Sequence, residues 1–161
     1  MKEIKLSTSF TVFDDLNELS KNDKALFLEA QTARDNAYAP YSNFQVGAAL
    51  LLDNNKIILG NNQENAAYPS GMCAERVAIW NASSQYPKSK ILKIFITAKS
   101  NLKKVTEPVS PCGSCRQTIA EYELNQDTNI EIFFMGEIGK IIKSNSLKDL
   151  LPLVFDKKFL K

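Results

Sequence analysis

Apolar positions between Asn22 and Tyr38 recur near helical spacing, with Ala25, Leu26, Leu28, Ala30, Ala33 and Ala37 forming a stripe that predicts an amphipathic helix. Ser20, Asn22 and Asp23 offer polar caps at its start. Pro40 ends it, because proline lacks the N–H for the helical ladder and pushes Ala39 out of the α region. Phe44 to Leu52 is then a dense apolar run, Asp53-Asn54-Asn55 a turn cluster, and Lys56 to Gly60 apolar again, together a predicted β-hairpin. Asn61 to Gly71, rich in Asn, Ala, Pro, Ser and Gly, reads as a loop.

Helical spacing returns over Cys73 to Ala82, where Ala74, Val77, Ala78 and Trp80 recur. Ile91 to Ala98 is a β-branched and aromatic strand. A loop containing Pro108 and Pro111 leads into a second cysteine-bearing helix over Cys115 to Leu124, followed by a strand at Ile130 to Met135. Gly136 to Gly139 turns the chain, and Lys140 to Lys143 reads as an edge strand. This alternation implies an α/β fold with helices packed on the faces of a sheet that includes parallel strands. Residues 1–21, with loose alternation in Ile4, Leu6, Phe10, Val12 and Phe13, read as an arm or appended strand before one domain at 22–161. No internal repeat or low-complexity tract interrupts that domain.

At 161 residues the chain is long enough to bury roughly 70% of its unfolded surface without covalent staples. Hydrophobic residues at 44% and charged residues at 24% fit an ordinary globular protein and neither a disordered nor a fibrous one. Twenty basic against eighteen acidic residues leave a formal charge of +2, with basic pairs such as Lys103-Lys104 scattered, which argues against nucleic acid as a partner. The start carries no apolar run before a cleavage site, and no stretch approaches the roughly 20 apolar residues of a membrane span. The expectation is a cytoplasmic protein with no membrane partner.

Cysteine usage changes the picture more. The chain has three cysteines and no histidine, which excludes Ser-His and Cys-His nucleophiles and mixed Cys/His metal sites. An odd number in a reducing compartment argues against a disulfide framework. Cys73 and the Cys112/Cys115 pair each follow a loop and open a predicted helix, where the N-terminal dipole favours the thiolate that binds metal. Three sulfurs without a fourth protein ligand match a catalytic zinc with one position open to water. Zinc lowers the pKa of that water to roughly 7.

Glu75 follows Cys73 on the same first turn and is the expected proton shuttle, with its pKa raised in a dry pocket. Three thiolates on one zinc leave an excess negative charge. Arg76 and Arg116 each stand beside a cysteine ligand and could donate to sulfur, and Arg76 is favoured.

Cys73-Ala-Glu75 followed by Pro111-Cys-Gly-Ser-Cys115 resembles the signature of the zinc deaminases. Phe44-Gln-Val-Gly-Ala-Ala-Leu50, Asn62-Gln-Glu-Asn-Ala-Ala-Tyr68, Cys73-Ala-Glu-Arg76 and Ser110-Pro-Cys-Gly-Ser-Cys-Arg-Gln117 are similar, in order and spacing, to the small homotetrameric cytidine deaminases. The resemblance runs from about Asp23 to Phe155. It implies a three-layer α/β/α fold with a mixed five-stranded sheet and one zinc ion per chain. It implies hydrolytic deamination of cytidine and 2'-deoxycytidine in pyrimidine salvage, with zinc hydroxide attacking C4 while Glu75 moves protons. Asn62 and Glu64 would then hydrogen-bond the ribose hydroxyls, Phe44 stack near the base, and the Ala74 backbone with Glu75 read the pyrimidine edge. Ala66, Tyr68 and Phe155 would complete a neighbouring subunit's pocket in a homotetramer with shared active sites, and Gln117 would support the zinc shell.

Plainer readings stand beside these. A Cys-x-x-Cys pair alone fits a redox motif or half a structural zinc site. Tyr38 and Trp80 read as packing residues, so that of the aromatics only Phe44 takes a binding role from its position. Two further functions compete: a zinc deaminase acting on another aminated nucleoside or base, and a non-catalytic zinc module.

Overall fold

Ser20 starts the first helix, α1 (Lys21–Asp35), by a reciprocal cap: its Oγ accepts the Asp23 N–H at 3.1 Å and donates to the Asp23 carboxylate at 2.8 Å. The helix stops at Asp35 and does not reach Tyr38. The Tyr38 backbone is committed elsewhere, donating to Asn62 O at 3.0 Å and accepting from Glu64 N–H at 2.9 Å. The computed structural model describes residues 1–160. Two more helices follow, α2 (Ala74–Gln85) and α3 (Gly113–Gln126), with strands β1 (Thr11–Phe13), β2 (Phe44–Leu52), β3 (Ile57–Asn61), β4 (Ile91–Ser100), β5 (Glu131–Met135) and β6 (Ile141–Ser144).

The strands form one sheet in the order β1-β6-β5-β4-β2-β3. β2 and β3 make the expected hairpin, and β4 and β5 are the parallel pair, joined through α3. Sequence reading expects five strands and the sheet has six. The sixth is β1, where the arm pairs antiparallel with β6 and Val12 stands opposite Ile142.

Helices cover both faces, giving three layers. On one face α1 lays Leu26, Phe27 and Ala30 over Ala49, Phe95, Phe133 and Met135. Phe27, passed over by the helical stripe that includes Leu28, is fully buried at 5.0 Å from Phe95, which stacks on Phe133 at 4.5 Å. Each such ring contributes about 1.5–3 kcal/mol by burial, so this trio anchors α1. Leu28 is half exposed.

On the other face Ala74, Ala78, Ile79 and Ala82 of α2 and Ile119 and Ala120 of α3 pack over Leu50, Ile94, Ile96, Ile132 and Phe134. Trp80, expected in the core, is 44% exposed, because the inward row through Ala78, Ile79 and Ala82 turns it to solvent. Gly60 sets the height of α2: a Cβ there would lie within 3.0 Å of Ala74 O and Ala78 N. A side chain at this position would lift the start of α2.

Candidate active site

Both cysteine segments open helices at the same end of the sheet. Asn61, Gly47, Thr97 and Met135 lie in register across β3, β2, β4 and β5, and the loops leaving β3 and β4 there feed α2 and α3. Cys73 is the N-cap of α2 and Cys112 the N-cap of α3, both in extended backbone, with Cys115 on the first turn of α3. Cys73 Sγ lies 3.9 Å from Cys112 Sγ, and all three sulfurs fall within 4.8 Å of one another. None is in a disulfide. A tetrahedral zinc with sulfur bonds of about 2.3 Å needs sulfurs roughly 3.8 Å apart, so this donor set fits that metal.

The sulfurs differ in proton affinity. Cys73 is drawn down to about 5 by the hydrogen bond it accepts from Cys115; burial opposes this and the Arg76 guanidinium assists it. Cys115, which holds the shared proton and is buried, is pushed above the ordinary thiol range. The first thiolate therefore sits on Cys73, to which Arg76 Nη2 donates at 3.5 Å. Arg76 Nε is buried with no hydrogen-bond partner, and the guanidinium lies 5.8 Å above the Trp80 ring. An unpaired cationic donor beside three sulfurs suits a cluster that is anionic when it holds metal.

Glu75, on the first turn of α2, is 4% exposed. Burial raises its carboxyl pKa above the usual range, and the Cys73 charge adds to that. Glu75, Arg76, Cys73 and Cys112 line a cavity of about 790 Å³, whose walls also carry Phe44, Val46, Asn62, Glu64, Tyr68 and Ile96. The volume suits a ligand of nucleoside size.

A family model for the cytidine and deoxycytidylate deaminase zinc-binding region matches residues 20–128. The chain belongs to this family. It is 40% identical over 130 residues to a cytidine deaminase of Halalkalibacterium halodurans, covering 81% of this chain and 91% of that one. To a cytidine deaminase of Mycoplasma pneumoniae it is 41% identical over 121 residues, 75% of this chain and 84% of the other. The crystal structure of cytidine deaminase from Burkholderia pseudomallei superposes with a TM-score of 0.71 at 34% identity, over 85% of this chain and all of that one.

Within this deaminase fold Asn62 and Glu64 are held rigidly. Asn62 Oδ1 accepts Val46 N–H at 2.7 Å and its Nδ2 donates to Phe44 O at 2.9 Å. Glu64 Oε2 accepts the N–H groups of Tyr41 and Ser42 at 2.9 and 3.2 Å. Desolvation works against its charge, but these bonds outweigh it and hold the carboxyl below the usual range. Each side chain keeps free capacity, the second Nδ2 hydrogen of Asn62 and Oε1 of Glu64.

The remaining candidates are more scattered. Ala74 is buried at the start of α2, and Tyr68, 76% exposed, stands on the cavity rim. Ala66 and Phe155 are exposed and outside the cavity lining. Gln117 donates to Phe155 O at 2.7 Å. Arg116 forks onto Pro111 O, Leu150 O and Ser110 Oγ and leaves sulfur to Arg76. Sequence reading missed Val46, Met72, Ile96, Val109 and Ser110 as lining residues. Val46, inside the Phe44–Leu50 motif, and Ser110, inside the Ser-Pro-Cys motif, carried a signal; the others look like ordinary core or loop positions. Among the described residues no helix is long and apolar enough to cross a membrane.

Proposed function

We propose that the chain hydrolytically deaminates cytidine and 2'-deoxycytidine, giving the uridine product and ammonia, as part of pyrimidine salvage. The reading rests above all on one observation: a buried carboxyl and two cysteines of a three-sulfur cluster line the same nucleoside-sized cavity as Asn62 and Glu64. Cys73, Cys112 and Cys115 would hold one zinc ion. Bound there, zinc acts as a Lewis acid and makes water a nucleophile near neutral pH.

The chain's own residues do the rest. Glu75, kept protonatable by burial, takes a proton from the attacking water and delivers it to ring N3. It then moves the second proton of that added water to the departing amine, which leaves as ammonia as the C4 carbonyl forms and N3 keeps its hydrogen. The N–H groups at the start of α2, around Ala74, have no helical partner and read the edge of the base. Phe44 stacks on it. The free hydrogen of Asn62 and Oε1 of Glu64 bind the sugar hydroxyls, and because both residues are held by backbone bonds little ordering accompanies binding. Ala66, Tyr68 and Phe155, all exposed, complete a neighbour's pocket in a homotetramer.

Ammonia release from cytidine, 2'-deoxycytidine and free cytosine by zinc-loaded protein tests this. Turnover of both nucleosides with little on cytosine is expected. Silence on all of them removes the reading.

A further inference from the structure

The arm lies outside the matched deaminase region, which begins at residue 20. Its even positions are Ile4, Leu6, Thr8, Phe10 and Val12, and its odd positions from Glu3 to Thr11 are Glu, Lys, Ser, Ser and Thr. That is the period-2 pattern of a strand with one apolar face. Only Thr11 to Phe13 are paired, against β6. Ile4 is 83% exposed, Leu6 52%, Phe10 42% and Val12 53%, and among the described residues no apolar core cluster includes them. β1 is also the outermost strand, so its far edge presents unpaired backbone groups.

We propose that the arm pairs antiparallel with the arm of a second copy of this chain, about a two-fold axis at Thr8, joining the two sheets through their β1 edges. The occupant follows from self-complementarity. With Thr8 opposite its own copy, Ile4 meets Val12, Leu6 meets Phe10, and Lys2 meets Asp14. Each apolar residue of the exposed even-numbered face thus meets an apolar one and its ends close with opposite charges, while Phe13, opposite Glu3, packs against the core of its own chain. Moving Ile4 to face Asp14 puts Thr8 against Phe10, and the opposite slip sets Lys2 against Val12. A one-residue slip opposes the apolar face to the polar one. Asp14 is available, since its contact with Lys140 is a long, exposed 3.7 Å. The two-fold relation makes the contact isologous and closed, so it ends at two sheets.

Cysteine cross-linking on the full-length, zinc-loaded protein tests this, with the unsubstituted chain as the blank for its own thiols. Thr8→Cys places two thiols opposite each other across the axis. Lys2→Cys places them roughly 40 Å apart at about 3.3 Å per residue. Under mild oxidation Thr8→Cys is expected to form a covalent dimer at least about tenfold faster than Lys2→Cys, the advantage of held over random encounter. Adding Leu6→Lys with Phe10→Lys should remove that advantage while deamination is unchanged. Equal rates for the two cysteine variants, a cross-link that persists in the lysine variant, or a protease-protected arm whose Thr8→Cys form stays uncross-linked would each overturn the pairing.

Discussion

Arg76 Nη2 donates to Cys73 Sγ at 3.5 Å on the first turn of the helix that Cys73 caps, while the Nε of the same guanidinium is buried without a partner. The pairing favours thiolate at Cys73 and offsets the charge of a third sulfur. Arg76→Gln keeps a polar hydrogen-bonding side chain but shortens it and removes its charge. It is expected to weaken zinc retention by about 10- to 100-fold, read by competition with a chelator, with the fold intact by circular dichroism. Arg116→Gln, which touches no sulfur, should disturb the loop before Cys112 and affect retention less.

Glu75 links activity to stability with a definite sign. Its folded pKa is raised by burial, so across that window the folded chain binds more protons than the unfolded one, and stability falls as pH rises through it. Glu75→Gln removes this penalty. In metal-free protein the variant should melt a few degrees above the parent at neutral pH. The gap should close below the ordinary carboxyl pKa of about 4.3, where Glu75 is protonated in both states. A gap that widens towards acid pH would refute the assignment.

Glu64→Gln tests the sugar contact. The amide still fits between the Tyr41 and Ser42 N–H groups but gives up the charge that a hydroxyl would meet. Hydrogen bonds to charged groups are worth about 1.5–3 kcal/mol, so kcat/KM for cytidine should fall on the order of 10- to 100-fold. The residual activity on cytosine should hardly change.

Gly60→Ala probes how closely α2 sits on the sheet. A methyl within 3.0 Å of Ala74 O and Ala78 N must displace the helix that carries Cys73 and Glu75. Overpacking of this kind costs about 1–3 kcal/mol, measured by denaturant melting, and activity should fall with it.

Much of this was legible in the sequence for a physical reason: where chemistry and folding demand the same residue, the signal is doubled. Cys73 and Cys112 cap helices and present sulfur, and β2 was bounded at Phe44 and Leu52 by turn residues on both sides. The end of α1 was not legible, because Tyr38 leaves the helix to bridge Asn62 and Glu64, a non-local contact with no local pattern. Phe27 and Trp80 were misjudged through small errors of helical phase that only the sheet resolves. Gln117 took its expected role from resemblance, and its bond to Phe155 O ties down the C-terminal segment instead of touching a cysteine. Gln117→Ala should therefore speed proteolysis after Leu150 while leaving zinc retention within about twofold, since exposed segments released from their anchors are the first cut.

The most direct test compares Glu75→Gln with the parent, measuring zinc content and ammonia release from cytidine in the same samples. With zinc equal in both, activity should fall by about two to four orders of magnitude, the worth of a positioned proton-transfer group. Equal zinc with undiminished deamination would contradict the assignment of proton transfer to Glu75.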